Sequence, residues 1–230
     1  MRSSVLPLVG LLACVSRSPR VASDGVRAEA AIGDSQDARP VVHDELRGVW
    51  ITRFSWAEEE ELLGMLDHVS AVGFNAVFFQ VRGNFDAYYA SELEPWAQKL
   101  TGDLGKDPGW DPLAEVIQHG HALGLEVHAY VNTYPLWRGA EAPASVGVPH
   151  PLSLHPDWVV VNEAGEEMAL NDLYIYASPG HPEVRAHVAE VAIDITQRYD
   201  IDGLHLDYIR YPGAQYSHDS ASLTAFGESG

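Results

Sequence analysis

Apolar residues after position 45 recur with two periods, one typical of buried strands and one typical of amphipathic helices. Residues 47–54 alternate as a strand does, and residues 76–82 and 127–132 form two further apolar runs of strand length. A fourth run, residues 202–212, ends at Pro212. The pattern therefore predicts four strands.

Segments of helical spacing separate these strands. We expect Ser55 to cap the first helix, so that the four glutamates at 58–61 lie in a first turn that favours negative charge. Gly73 and Gly124 follow the first and second helices at the left-handed position that ends many helices, and Pro182 opens the third. The apolar faces of the helices contain Leu62, Leu66, Val69, Leu113, Val116, Ile117, Val184, Val188, Val191 and Ile195.

The fourth strand carries polar groups on a single face. Leu204 and Leu206 occupy one face, and Gly203, His205 and Asp207 occupy the other. Burying polar side chains costs free energy unless a site uses them, and the active sites of parallel barrels lie at the carboxyl ends of the strands. We expect Asp207 to point into the mouth of a barrel, with His205 one layer below. A helix-capping or loop-pairing aspartate is the alternative.

Strict alternation of strand and helix predicts a parallel sheet, either open and doubly wound or closed into a barrel. No glycine-rich phosphate loop follows the first strand, and polar residues follow all four strands, which favours the barrel. A complete barrel of this kind has eight strands. The expected fold class is therefore α/β, a TIM (β/α)8-type barrel of which the first four βα units are present.

The segments after the second and third strands are long and rich in aromatic residues, as expected for loops that build a cleft on one rim. The later segment contains a predicted hairpin, residues 158–161 followed by a turn at 162–165. Packing the loops down is the alternative role for their tryptophans. The aromatic residues of these segments include Tyr88, Tyr89, Trp96, Trp110, Trp137 and Trp158.

Composition excludes several classes of function. The 230 residues are 46% apolar and 10% aromatic, which is enough for a sizeable core. Acidic residues outnumber basic ones 33 to 14, a net charge of −19, and no block of Lys or Arg occurs. Nucleic acid is therefore not an expected partner.

The amino-terminal segment resembles an export signal. Arg2 precedes an apolar run at residues 5–13 that is too short to span a bilayer but suits a secretory signal. The run ends at Cys14, the single cysteine, and residues 11–14 resemble the lipobox of bacterial lipoproteins, whose cysteine is lipidated. We expect a signal peptide at 1–14, a flexible linker at 15–45 and the folded domain at 46–230. The predicted location is the cell envelope, with simple export and a cytoplasmic chain as alternatives.

A set of segments, in this order and spacing, resembles one known family. The segments are residues 46–50, 73–77 with 80–82, 124–132, 179–185 and 202–212. Together they resemble the glycosyl hydrolase-like 10 family, bacterial (β/α)8 barrels, often lipoproteins, that are distantly similar to α-amylase-type glycosidases. The resemblance implies glycoside chemistry on an extracytoplasmic polysaccharide, such as bacterial cell-wall glycan. It also places Asp207 where amylase-like enzymes keep the nucleophile.

Several other residues fit a glycosidase site of this kind. His205 and Arg210 are candidates to orient Asp207 and keep it ionised. Core packing or a structural hydrogen bond is the competing interpretation for each of the remaining candidates. The candidates for hydrogen bonds to sugar hydroxyls are Gln80, Arg82 and Asn132, and those for stacking on sugar rings are Trp50, Tyr130 and Tyr208.

The general acid is not evident in the sequence. Asp86, Glu92, Asp172 and Asp202 are present, but none lies at a strand end with an acid role, and the resemblance implies that the acid lies beyond the fourth strand. His119 and His121 would point to different faces of their helix, so we expect neither metal nor cofactor. The alternatives to an enzyme are a glycan-binding lipoprotein without turnover and an inactive fragment.

Overall fold

The computed structural model describes residues 45–228, which form six strands, six helices and one 3-10 turn. The strands are β1 (Gly48–Ile51), β2 (Ala76–Arg82), β3 (Glu126–Asn132), β4 (Pro135–Gly139), β5 (Asn171–Tyr176) and β6 (Gly203–Asp207). The helices are α1 (Glu59–Ala71), α2 (Gln98–Thr101), α3 (Pro112–Ala122), α4 (Pro151–Leu154), α5 (Pro182–Arg198) and α6 (Ser220–Glu228). No helix within residues 45–228 has the length and apolar character needed to cross a bilayer.

The central sheet is parallel and has the strand order β1-β2-β3-β6, so its strands follow one another in chain order. The chain therefore moves in one direction across the sheet and makes no topological switch. This confirms the α/β fold with a parallel sheet. Within the described residues β1 and β6 each pair with one strand of the sheet, so closure into an eight-stranded barrel remains a prediction.

One face of the sheet packs against the helices and forms the main core. Val77, Phe79, Val127 and Ala129 are fully buried there. The predicted helix faces meet this surface through Leu62 and Leu66 of α1, Leu113 and Val116 of α3, and Val191 and Ile195 of α5. Each such apolar side chain contributes about 1.5–3 kcal/mol by leaving water. The helical spacing in the sequence predicted this face correctly.

The opposite face of the sheet carries rings and polar groups. Trp50 stacks on Phe78 with ring centroids 4.5 Å apart, and Phe78 lies 5.0 Å from His128 and 5.4 Å from His205. Trp50 is 51% exposed. Because it lies opposite the helix layer, this is the face that the predicted barrel would enclose.

The long loops build a second core at the carboxyl edge of the sheet. Strands β4 and β5 pair as a two-stranded antiparallel sheet, which the sequence analysis did not predict. Buried aromatic residues of the loops pack this strand pair against the start of α5. For Trp137 and Trp158 this is the alternative role named above, packing of the loops. The cluster includes Phe85, Leu136, Trp137, Trp158, Ile175 and Val184.

Several predicted boundaries shift in the structure. Helix α1 begins at Glu59 and not after Ser55, because Ser55 Oγ lies 3.0 Å from Thr52 Oγ1 in a turn while Glu61 accepts a hydrogen bond from the backbone N–H of Ala57. The strand expected at 47–54 shortens to β1. The hairpin turn at 162–165 is confirmed, although Trp158 belongs to a 3-10 turn.

Candidate functional site

Asp207 is the last residue of β6 and lies at the carboxyl edge of the sheet, beside Asn132 of β3. It is half-buried, and its Oδ1 accepts a hydrogen bond of 2.7 Å from the backbone N–H of Tyr208. The backbone N–H of Thr133 donates to its carbonyl oxygen at 2.8 Å. The structure therefore fixes the backbone of Asp207 against β3 at the end of the sheet where parallel barrels carry out their chemistry.

The backbone after Asp207 is strained. Tyr208 has a φ of 51°, a left-handed conformation that is uncommon for a residue with a bulky side chain. Such strain costs on the order of 1–3 kcal/mol and persists where the surrounding structure enforces it, often at functional sites. Here the strained turn directs the chain away from the sheet and leaves the Asp207 carboxylate at its edge.

Tyr130 lies one step below Asp207 on the neighbouring strand, in register with His205. Burial, together with the negative charge of Asp207, raises the pKa of Tyr130 to about 12. Arg53, Tyr174 and Tyr208 also act on this phenol electrostatically. The hydroxyl therefore remains protonated at neutral pH and is available as a hydrogen-bond donor within this group.

Arg53 is the main site residue that the sequence analysis missed. It follows β1 and is only 3% exposed. Its Nη2 donates to Asn84 Oδ1 at 3.1 Å and to the Tyr174 hydroxyl at 2.9 Å, and its backbone N–H donates to Gln80 Oε1 at 3.0 Å. The signal available in the sequence was its position at the end of a predicted strand, but nothing in the pattern identified its partners.

Gln80 and Asn132 are both buried at the strand ends, as expected. Gln80 holds the backbone of Arg53, so its amide is engaged in the fold. Asn132 donates from Nδ2 to the carbonyl of Gly83 at 3.0 Å, while its Oδ1 is buried without a hydrogen-bond partner. An unpaired buried acceptor costs about 1–3 kcal/mol, which makes the Asn132 oxygen the stronger ligand candidate of the two.

Arg82 lies inside the protein and does not line the cleft. It is 1% exposed, and its guanidinium donates to both carboxylate oxygens of Glu94, at 2.6 and 2.8 Å. It also donates to the carbonyls of Asn132 and Thr133 at 2.6 and 2.9 Å. Arg82 was a candidate either for sugar binding or for structural hydrogen bonds. Its placement favours the structural role, because the guanidinium has almost no exposed surface for a ligand.

Three further candidates, Trp50, His205 and Arg210, lie at positions that do not fit the roles expected of them. Trp50 aligns with Phe78, one layer below His205, so packing fits it better than stacking on a sugar at the mouth. No nitrogen of His205 or Arg210 lies within ion-pair distance of a described carboxylate. His205 packs among rings, and Arg210 is exposed over the ring of Tyr208 at 4.9 Å. Neither residue orients Asp207 in the manner expected.

Of the four carboxylates that the sequence offered without an evident acid role, two make structural hydrogen bonds and two are exposed. Asp202 lies at the opposite end of β6, where it accepts hydrogen bonds from Val127 N–H and His121. Asp86 Oδ1 holds the turn after β2 through the N–H groups of Gly83 and Asn84. Glu92 and Asp172 are exposed. Residues 45–228 contain no group of three or more His, Cys, Asp or Glu placed to bind a metal ion.

Comparison with known proteins identifies the family. Residues 45–227 match the model of the family described as glycosyl hydrolase-like 10. The chain belongs to this family. The glycosyl hydrolase-like 10 chain is 35% identical to glycosyl hydrolase YngK of Bacillus subtilis over 199 residues, which cover 80% of this chain and 37% of that relative.

The chain is also similar to a second curated relative and, in fold, to a solved structure. Glycosyl hydrolase DigH of Escherichia coli K12 is 25% identical over 264 residues, covering 98% of this chain and 56% of the relative. The chain thus spans between about one third and about one half of the length of these relatives. The β-galactosidase of the psychrophilic Marinomonas ef1 aligns with a TM-score of 0.52 at 17% identity, over 79% of this chain and 24% of that chain. This last likeness is one of fold alone.

Proposed function

We propose that this chain carries the strand-end half of a glycosidase active site that acts on a polysaccharide outside the cytoplasm, with bacterial cell-wall glycan as the substrate. Asp207 is its nucleophile or stabilising carboxylate. The observation that carries the proposal is the position of Asp207, at the carboxyl end of a parallel strand in a glycosyl hydrolase-like 10 chain.

The proposed chemistry follows from what glycoside hydrolysis requires. One carboxylate attacks or stabilises the anomeric carbon while a second carboxylic acid protonates the leaving oxygen. Asp207 suits the first role because it lies at the edge of the sheet with one oxygen held by a backbone N–H. Tyr130 keeps its proton and feels the charge of Asp207, so it is our candidate hydrogen-bond donor to this carboxylate or to a sugar oxygen. The second carboxylate is expected after the fourth strand, where amylase-like barrels have theirs.

The proposed location depends on the amino-terminal segment. Lipidation at Cys14 would attach the domain to a membrane through the segment at 15–45 and bring the site to extracytoplasmic glycan. Both Cys14 and most of that segment lie outside the described residues. The anchor is tested by mass spectrometry of the chain expressed in a bacterial host, where a Cys14→Ala variant should lack the added lipid mass.

The test of the function compares Asp207→Asn with Asp67→Asn in the 230-residue chain. Asp67 is an exposed carboxylate on α1 that pairs with His119, so its variant removes the same charge away from the strand ends. Hydrolysis is followed by release of reducing ends from purified peptide-free cell-wall glycan, and binding is followed by calorimetry. We expect Asp207→Asn to abolish hydrolysis and to leave binding largely intact, while Asp67→Asn changes neither.

Other results would decide between the alternatives. Hydrolysis that persists in Asp207→Asn would show that the site assignment is wrong. Binding without hydrolysis in the parent chain would favour the glycan-binding lipoprotein, and the absence of both would favour the inactive fragment.

A further inference from the structure

A groove beside the candidate site concentrates positive charge in an otherwise acidic protein. It has a volume of about 490 Å³ and lies between the end of β1, the loop after β2, the short helix α2 and strand β4. Arg53, Lys99 and Arg138 line it, together with the exposed ring of Phe54. The net charge of the chain is −19, so three cations in one groove are a local exception.

These three cations have no carboxylate partner. Among residues 45–228, four of the nine basic residues pair with an acid: Arg47, Arg82, Lys106 and Arg198. Arg53 instead contacts Asn84 and the Tyr174 hydroxyl, Arg138 donates to the carbonyl of Asp172, and Lys99 donates to the carbonyl of Trp56. All of these partners are neutral.

Arg53 is the strongest indication that this groove binds an anion. Its side chain is buried, and its Nη1 has no hydrogen-bond partner. The buried carboxylate of Asp86 is close by, since a Cβ on Gly83 would touch both Arg53 Nη1 and Asp86 Oδ1. The two groups form no ion pair, however, and Asp86 Oδ1 accepts hydrogen bonds from two backbone N–H groups. A buried guanidinium N–H without an acceptor is costly, and a carboxylate is a group that a guanidinium fork recognises with two hydrogen bonds.

The groove also offers a surface suited to a sugar ring. The Phe54 ring is 59% exposed, and the guanidinium carbons of Arg53 and Arg138 lie 4.6 and 5.9 Å from its centroid. Two guanidinium groups over an aromatic ring that stays partly exposed suit a pyranose that bears a carboxylate. The groove neighbours the candidate site, because Tyr174 contacts both Arg53 and Tyr208, the residue after Asp207.

We infer that this groove is a subsite for a sugar unit that bears a carboxylate, recognised by Arg53 and Arg138 over the ring of Phe54. The carboxylate has two chemical sources, C5 of a uronic acid or a lactyl ether on an amino sugar. The inference rests on the proposed function and adds to it the charge of the substrate.

The test measures binding to the 230-residue chain by calorimetry. The probes are trigalacturonate, its methyl ester, and a peptide-free glycan whose lactyl ethers are free acids or methyl esters. We expect each acid that fits the subsite to bind at least tenfold more tightly than its ester, and the tighter acid identifies the source. Raising the salt concentration should weaken binding of the acid and leave binding of the ester unchanged.

Two variants locate the effect. Arg138→Gln removes an exposed cation from the groove and should weaken binding of the acid about tenfold without affecting the ester. Arg185→Gln is the matched control, because Arg185 is also exposed, has no carboxylate partner among residues 45–228, and donates hydrogen bonds to the backbone carbonyls of Pro179 and Gly180. Equal affinity for acid and ester, or equal losses in the two variants, would overturn the inference.

The inference and the proposed function fail in different ways. If the acid binds through Arg138 but no glycan is hydrolysed, the subsite stands and the glycosidase proposal fails. If a neutral glycan is hydrolysed through Asp207 and acids show no advantage, the glycosidase proposal stands and the subsite fails. Acetate that binds as tightly as the sugar acids would also overturn the inference, because the groove would then recognise any small anion.

Discussion

Arg82 and Glu94 form a buried bidentate ion pair that ties the loop after β2 back to the end of β2 itself. Arg82 is 1% exposed and Glu94 is fully buried. His187 of α5 donates to the same carboxylate at 2.8 Å, and its ring stacks on Phe85. The Arg82 guanidinium also lies over the Phe85 ring, 3.8 Å from its centroid. Arg82 also holds the carbonyl of Thr133, whose N–H holds Asp207. The pair thus supports the candidate site without touching it.

Replacing Glu94 with Gln should destabilise the fold strongly. The change leaves the Arg82 charge buried without an opposite charge, so we expect the free energy of unfolding to fall by about 3–5 kcal/mol. Urea denaturation followed by circular dichroism measures the loss. Asp194→Asn, which breaks the partly exposed pair with Arg198, should cost less than about 1 kcal/mol. Similar losses in the two variants would contradict a special role for the buried pair.

Stability should also depend on Glu94 at low pH. Burial alone would raise its pKa, but the charge of Arg82 and hydrogen bonds from His187 and Arg82 lower the pKa from 4.5 to about 2. Because the folded state favours the ionised form, this stabilisation is complete above about pH 5 and is lost as pH falls toward 2, by about 3 kcal/mol. Denaturation midpoints measured across that range should fall steeply in the parent chain. They should fall less steeply in Glu94→Gln, and parallel curves would refute the assignment.

Removing the Tyr130 hydroxyl should affect hydrolysis and not stability. Tyr130 makes no described hydrogen bond through its hydroxyl, so Tyr130→Phe should change the free energy of unfolding by less than about 1 kcal/mol. The loss of a donor beside Asp207 should lower kcat by about 10²-fold. Tyr134→Phe is the control, because burial also raises the pKa of Tyr134, which packs in the loop core. A normal kcat in Tyr130→Phe would exclude this hydroxyl from the reaction.

A methyl group at Gly83 should disturb the groove through Arg53. A Cβ added there would lie 2.2 Å from Arg53 Nη1 and 2.8 Å from Asp86 Oδ1, so the guanidinium must move. We expect Gly83→Ala to weaken binding of sugar acids at least tenfold and to lower the free energy of unfolding by about 1–3 kcal/mol. Gly64→Ala in α1, where a Cβ meets open space, should leave binding unchanged and stabilise the helix by about 0.5–1 kcal/mol. If Gly83→Ala binds sugar acids as tightly as the parent chain, Arg53 does not take part in ligand recognition.

The sequence predicted which residues lie toward the ends of the strands, but it did not predict which side chains these residues contact. The period of two placed Gln80, Asn132 and Asp207 at the carboxyl ends of their strands, and the structure agrees on those positions. The same period could not show that Arg82 pairs with Glu94 of a loop and does not face a cleft. The distinction depends on how the loop folds back over the strand, and residue spacing carries no information about that path.

Local physical chemistry determined much of this protein from its sequence. Helical and strand periods fixed the four parallel strands and the main core, and glycines at positions 73 and 124 ended helices because glycine adopts a positive φ without strain. Only the tertiary structure decided which charges are paired. Arg53 meets Tyr174 across 121 positions and His187 meets Glu94 across 93, and contacts at such separations arise from packing of the whole domain, not from any local pattern.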